Sequence, residues 1–368
     1  MDFICDRHQL LEDINIAEKA VSKTTAQITQ CLLITVTEDG YYLTGNNFEM
    51  AVKTSLTKAD VKKNGGAVLE AQMFYEIIKR LPEREVHIYQ TDENFARITS
   101  GKTDYKIFTV SDAEFPDIDE VDRAARCSVK AHILRNMIRQ TLFAVSSDES
   151  KPVFTGELFR VEDGLFKVVA IDGFRVAYRQ TADNDTSSHI SAVVPSKTLN
   201  EIIKIMPQDD GQTIDIYFAQ SNVAFCTKAF TVTSRLIEGE FFKYENLFGG
   251  GHKTALRLNR ADFLSSIDRA SLIPGRDGKK NAVKLSINDG LVVVSSKTEL
   301  GTAQDELCAE TQGDPIDIAF NPRYIADALK VIDEAEIDVT LTTPFSPCTI
   351  RPVGNQDAVY LVVPLRIQ

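Results

Sequence analysis

A period of about 125 residues runs through this chain, and a repeat that long calls for three copies of one folding module. Asp-Gly pairs close apolar runs at Asp39-Gly40, Asp163-Gly164 and Asp289-Gly290, steps of 124 and 126 residues. Each pair lies between strand-like segments, in LLITVTEDGYYLTG, GELFRVEDGLFKVVA and VKLSINDGLVVVSS. Asp-Gly tolerates the positive φ angles of tight turns, so each pair predicts a β-hairpin. A second marker keeps the step: QMFYEIIKRLP ends at Pro82 and KTLNEIIKIMP at Pro207, and NPRYIADALKVI carries Lys330, 126 residues after Lys204. These runs, and RHQLLEDINIAEKAV, KAHILRNMIRQTLFAV and NRADFLSSIDRASLI ahead of the hairpins, have apolar residues at helical spacing. Phe115 in AEFPDI and Phe241 in GEFFKY, 126 residues apart, complete the register.

Each module therefore reads helix, hairpin, further strands, helix, closing strands, an α+β unit of ordinary domain size. Boundaries fall near 120–128 and 246–253, giving domains 1–124, 125–248 and 249–368. Tandem modules related by a constant rotation spiral or close into a ring, and closure removes exposed strand edges.

Charge narrows the function. The chain has 53 acidic and 41 basic residues, a formal net charge of −12, which argues against a surface basic all over. The helical runs run the other way. Lys130, Arg135 and Arg139 stand in one without an acid, and Arg257, Arg260, Arg269, Arg276, Lys279 and Lys280 gather between 257 and 280 against three aspartates. Arg7, Lys19 and Lys23 are balanced by acids in the first run, and Lys79, Arg80, Lys197, Lys204, Arg323 and Lys330 follow in the others. Basic helices inside an acidic body suit a polyanion held through its phosphates without base readout. A solvated helix face is the plainer reading of any one of them.

Six cysteines are scattered singly, as expected of reduced thiols in a cytoplasmic protein. The N-terminal stretch lacks a signal peptide's basic and apolar regions, and no run approaches the roughly 20 apolar residues of a membrane span. Nor does any catalytic spacing occur. GGGHKT at 249–254 lacks the G-x-x-x-x-G-K-[ST] pattern, the five histidines are far apart, DESK at 148–151 is a turn, and no G-x-S-x-G is present. We expect no active site, cofactor or metal.

With repeats and charge in hand, the sequence resembles the bacterial DNA polymerase III β subunit, the sliding clamp, over essentially its whole length. FAVSSDESKPVFTG (143–156), VVAIDGFRVAYR (168–179), SRLIEGEF (234–241), FNPRYIADAL (320–329) and YLVVPLRI (360–367) carry the likeness. The resemblance implies a head-to-tail ring of two chains, with helices lining a hole around duplex DNA and antiparallel sheets outside. It implies a non-catalytic processivity factor, placed by a clamp loader and tethering the DNA polymerase III α subunit and repair proteins. Lys23, Lys79, Arg80, Arg135, Arg139, Lys151, Lys197, Lys204, Arg276, Lys279 and Lys280 are the expected DNA-facing residues.

It further implies a cleft between the second and third domains for short extended peptides with leucine and phenylalanine anchors. Position by position, that cleft is Phe154, Ile171, Gly173, Phe174, Arg175, Val176, Phe242, Asn246, Leu247, Asn321, Tyr324, Phe345 and Pro347. Leu361, Val362, Val363, Pro364, Leu365 and Arg366 complete it. An apolar groove with a few polar groups suits such a motif, and Pro364 argues for an edge position. Tyr105 and Ile107 of one chain are expected to meet Leu272 and Ile273 of the other. The chain departs from the family pattern at Lys23-Thr24-Thr25-Ala26-Gln27-Ile28-Thr29, at Phe241-Phe242-Lys243-Tyr244, at Gly173-Phe174-Arg175, and at Phe345 and Pro347. These changes imply a more aromatic cleft and an altered peptide preference. The alternative function is a repeat scaffold for protein partners without DNA; a hydrolase or transferase on this repeat is disfavoured by the missing catalytic spacing.

Overall fold

The computed structural model describes residues 1–368 except 23–26, 93, 119–120, 123–124, 183–188, 210, 249–250, 275–281 and 367–368. Six α-helices occur among the described residues: α1 (Arg7–Ala17), α2 (Ala71–Arg80), α3 (Ala131–Thr141), α4 (Ser196–Ile205), α5 (Arg260–Ala270) and α6 (Pro322–Val331). Each matches one of the six helical runs. Five start directly after a strand and α6 one residue after Ile316–Phe320, where a polar or proline residue ends the ladder and opens the helix. Asp6, Glu70, Asn259 and Asn321 are the N-caps of α1, α2, α5 and α6, accepting amides that the first turn leaves unpaired. Pro322 fills the first position of α6, where its missing N–H costs nothing. No described helix is long and apolar enough to cross a membrane.

The chain divides into two compact units, one of 1–132 with 197–236, the other of 133–196 with 237–368. In the first unit an antiparallel sheet runs in the order Asp60–Lys63, Asp2–Asp6, Glu85–Asp92, Phe95–Ser100, Thr103–Phe108. A second, eight-stranded sheet has Phe230–Arg235 hydrogen-bonded to Met50–Thr54 at its centre, so strands from two sequence repeats form one surface. Phe3, Leu10, Ile14, Leu32, Ile34, Phe74 and Ile78 make the core between the strands and α1 and α2. Asp13 of α1 is buried, accepting hydrogen bonds from Tyr41 and Thr57 hydroxyls, both at 2.9 Å.

The second unit repeats this plan. Its nine-stranded sheet joins Arg175–Ala182 to Ala358–Val362, again a pairing across repeats. A four-stranded sheet runs Gly301–Cys308, Leu291–Thr298, Val283–Asn288, Ile316–Phe320. Phe263, Ile267, Leu285, Val292, Ile318, Leu329 and Tyr360 form its main core.

All three Asp-Gly sites lie at two-residue hairpins, but the glycine serves them differently. Asp163 (φ 53°) and Gly164 (φ 72°) are the turn itself. In the first repeat the turn is Glu38-Asp39, and Gly40 begins the return strand at φ 151°. A Cβ there would sit 2.0 Å from the Thr57 carbonyl oxygen, so a close backbone approach fixes that glycine. All six cysteines are thiols; Cys5, Cys31, Cys127 and Cys348 are buried, and burial pushes the Cys348 thiol up to about 12.

Candidate peptide cleft, basic helices and sheet edges

The strand Leu165–Ile171 turns through residues 172–174 into Arg175–Ala182. Asp172 makes the turn, its Oδ1 accepting from the amides of Phe174 (2.9 Å) and Arg175 (3.0 Å), while Gly173 takes φ 94°. The result throws Phe174 outward, 55% exposed, and Arg175 inward. The Arg175 guanidinium donates from Nε to Asp172 (2.9 Å) and from Nη1 to Asp327 of α6 (2.7 Å). Its Cζ lies 5.1 Å from the centroid of the Phe143 ring and 4.8 Å from that of Tyr324. Asn321 caps α6 through the Arg323 amide, which sets Tyr324 on the first turn, stacked on Phe174 at 5.8 Å and 19°.

The C-terminal segment runs past this aromatic pair. Val363 N donates to the Phe174 carbonyl (2.8 Å) and Leu365 N to that of Ala319 (2.7 Å). Pro364 between them has no N–H, so the ladder ends and Val363 and Leu365 stay exposed. Ile171, Val176 and Leu361 are buried in a cluster with Tyr244, on whose rim Phe154 packs edge-to-face on Phe241 at 6.0 Å. Val362 faces the other way, into the main core.

Thus the Phe174–Tyr324 pair and the Val363–Leu365 segment meet through the Phe174 and Ala319 carbonyls, with Arg175 as the internal brace, while Ile171, Val176 and Leu361 belong to a separate buried cluster. Asn321 acts as a helix cap. Phe242, Asn246, Leu247, Phe345 and Pro347 are exposed, Phe345 to 71%, and none is joined by a hydrogen bond or ring contact to the Phe174–Tyr324 pair. Sequence reasoning missed Asp172, Asp327 and Phe143. Asp172-Gly173 carries a turn signature that could have been read, but Asp327 and Phe143 reach Arg175 only through tertiary packing.

Of the expected DNA-facing residues, Lys23, Arg276, Lys279 and Lys280 lie outside the described residues. Lys79 and Arg80 end α2, Arg139 is in the last turn of α3 and Lys204 in that of α4, where cations offset the helix dipole. Arg80 pairs with Glu76 (2.7 Å), Lys204 with Glu201 (2.6 Å) and Arg139 with Asp333. Exposed pairs of this kind contribute about 1 kcal/mol or less, so a phosphate can displace the carboxylate at little cost. Lys79 and Lys197 are exposed without a salt bridge to a described residue, Lys151 is exposed in a loop, and Arg135 is half-buried.

Two of the sheet-edge strands bear on pairing with another chain. Thr103–Phe108 ends the five-stranded sheet, with Tyr105 exposed and Ile107 buried, and Gly301–Cys308 ends the four-stranded one. Leu272, 76% exposed, follows α5, and Ile273 lies against Gly301 at the start of that second edge. Such edges are templates for pairing with another chain.

Comparison with known proteins covers the whole chain. Residues 1–119 match the DNA polymerase III beta subunit N-terminal domain, 128–243 its central domain and 245–366 its C-terminal domain. A beta sliding clamp of Staphylococcus epidermidis is 33% identical, over 100% of this chain and 99% of that protein. The DNA polymerase sliding clamp of Bacillus subtilis superposes with a TM-score of 0.95 at 30% identity, covering 100% of both chains. A putative DNA polymerase III beta subunit from Eubacterium rectale gives 0.94 at 32%, covering 99% of each.

Proposed function

This chain belongs to the DNA polymerase III beta subunit family, and from that membership we propose that two copies close head to tail into a ring around duplex DNA. It is a sliding clamp, a non-catalytic accessory of the replicative polymerase built from three clamp domains. The observation that carries this is the tandem of three family domains along one chain, each contributing two helices and antiparallel strands.

The domains are 1–124, 125–248 and 249–368. Edge strand Thr103–Phe108 of one copy, with Tyr105, faces Gly301–Cys308 of the other, with Leu272 and Ile273 beside it. The basic positions on the helices, Lys79, Arg80, Arg135, Arg139, Lys197 and Lys204, with Lys151, meet phosphates. Contacts of this sort are weak and indifferent to sequence, which sliding requires, since base-specific contacts would pin the ring. The surface around Phe174, Tyr324 and residues 363–366 takes short extended peptides of the polymerase α subunit, the clamp loader and repair proteins. Its exposed rings, Phe174, Phe242 and Phe345, favour aromatic anchors. The setting is the cytoplasm.

Retention on DNA after clamp loading tests the ring. The protein is expected to stay on circular duplex and to run off linear duplex. Equal loss from both would remove the topological reading. Deleting residues 364–368 is expected to abolish peptide binding while leaving the dimer intact, and retained affinity would move the cleft elsewhere.

A further inference from the structure

The two rings of the Phe174–Tyr324 pair are held to very different degrees. Tyr324 stands on the first turn of α6, its amide donating to the Asn321 carbonyl (3.1 Å), and the Arg175 Cζ lies 4.8 Å from its ring centroid. Arg175 is buried and tied by ion pairs to Asp172 (2.9 Å) and Asp327 (2.7 Å), so a doubly paired guanidinium props the tyrosine ring. Tyr324 is a fixed platform.

Phe174 is pinned through its backbone instead. Its amide donates to Asp172 Oδ1 (2.9 Å) and its carbonyl accepts from Val363 N (2.8 Å). Its side chain is 55% exposed and stacks on Tyr324, with centroids 5.8 Å apart and planes inclined by 19°. Rotation about the Phe174 Cα–Cβ bond therefore lifts the ring off Tyr324 and breaks no backbone hydrogen bond. Space lies beside the turn, since a Cβ placed on Gly173 would meet nothing within 4 Å. Exposed side chains change rotamer within picoseconds to nanoseconds, so such a swing is fast compared with the arrival of a ligand. The stack thus joins a ring that is free to leave to one that is not.

We propose that Phe174 is a lid on this surface. Its ring occupies the place on Tyr324 that the phenylalanine anchor of a partner peptide takes, and it swings aside to admit that anchor. The inference rests on the reading of the Phe174 surface as a peptide site. The exchange is ring for ring: the incoming phenylalanine restores the stack that the lid gives up. What remains is a reduced affinity, because the peptide binds only while the lid stands open. For one stacked aromatic pair that reduction is roughly two- to tenfold.

The test is stopped-flow fluorescence polarisation with the fluorescein-labelled pentapeptide Ser-Leu-Ser-Leu-Phe, using the full-length protein, Phe174→Ala, Phe174→Leu, Phe174→Tyr and the chain lacking 364–368. Circular dichroism melting checks the fold of each. Phe174→Ala is expected to bind about two- to tenfold more tightly than the parent, with the gain in the association rate. Phe174→Leu keeps an apolar side chain but cannot stack, and is expected to do the same. Phe174→Tyr keeps the stack and is expected to bind as weakly as the parent. If Phe174→Ala and Phe174→Leu bind no better than the parent, or gain only through slower dissociation, the lid is overturned while the cleft stands. If the parent and the variants all fail to bind, or the chain lacking 364–368 binds as well as the parent, the cleft reading falls and the lid with it.

Discussion

Replacing Glu157 by glutamine is expected to stabilise this protein, and increasingly so as the pH rises. Glu157 is fully buried at the start of the strand Gly156–Glu162. Its Oε1 lies 2.8 Å from the Thr141 hydroxyl, which is also 2.8 Å from the Met137 carbonyl, and Oε2 has no hydrogen bond to a described residue. Thr141 has one proton, and the Met137 carbonyl can only accept it. A protonated Glu157 resolves the conflict by donating to Thr141 Oγ1 while Thr141 donates to Met137. Burial, only partly offset by the Thr141 hydrogen bond, lifts this carboxyl well above the usual carboxylate range.

The sign follows from proton binding. Above the ordinary glutamate range the unfolded chain has lost this proton and the folded chain keeps it. The associated stability is complete at low pH and is lost as pH climbs toward the raised folded value. The loss is about 1.4 kcal/mol for each pH unit in that window. Glutamine keeps the shape, donates from Nε2 to Thr141 and never ionises. Urea midpoints for parent and Glu157→Gln between pH 5 and 8, followed by circular dichroism because the chain has no tryptophan, measure the difference. The gap between the two proteins should widen with pH at up to that slope. Parallel pH dependences, or a variant weaker than the parent throughout, would refute the argument.

Arg175→Leu leaves Asp172 and Asp327 facing each other half-buried, and removing one partner of a buried ion pair costs about 3–5 kcal/mol. A melting temperature within 1 °C of the parent would remove Arg175 as the brace of the cleft. Leu272→Ala with Ile273→Ala should weaken the dimer by roughly 2–5 kcal/mol for each side chain buried on pairing; an unchanged sedimentation dissociation constant contradicts that interface. Lys197→Gln should lower the salt dependence of DNA association by about one phosphate contact. A slope identical to the parent's takes Lys197 off the DNA surface.

The repeat, all six helices and the three hairpins were legible because each depends on local rules: apolar spacing, cap residues and turn chemistry. The proposed cleft was legible only where a residue type is unusual for its setting, as with Pro364 in an apolar strand. Ile107, Val362 and Arg175 show the limit. Sequence marks them as candidates for a surface, yet strand alternation and the Asp172 turn send all three inside. The basic helices were visible as composition, and the Arg80–Glu76 and Lys204–Glu201 pairs follow helical spacing, but Asp333, the partner of Arg139, lies 194 residues away and was not legible.

By itself the sequence determined the modules, their internal order and their secondary structure, since those follow from neighbours a few residues apart. Tertiary structure alone decided which strands close the seams, Met50–Thr54 with Phe230–Arg235 and Arg175–Ala182 with Ala358–Val362. It also decided which face of each seam is left as a groove. Pairing between strands about 180 residues apart obeys no short-range pattern; it is selected by the burial of whole sheet faces, which no local window contains.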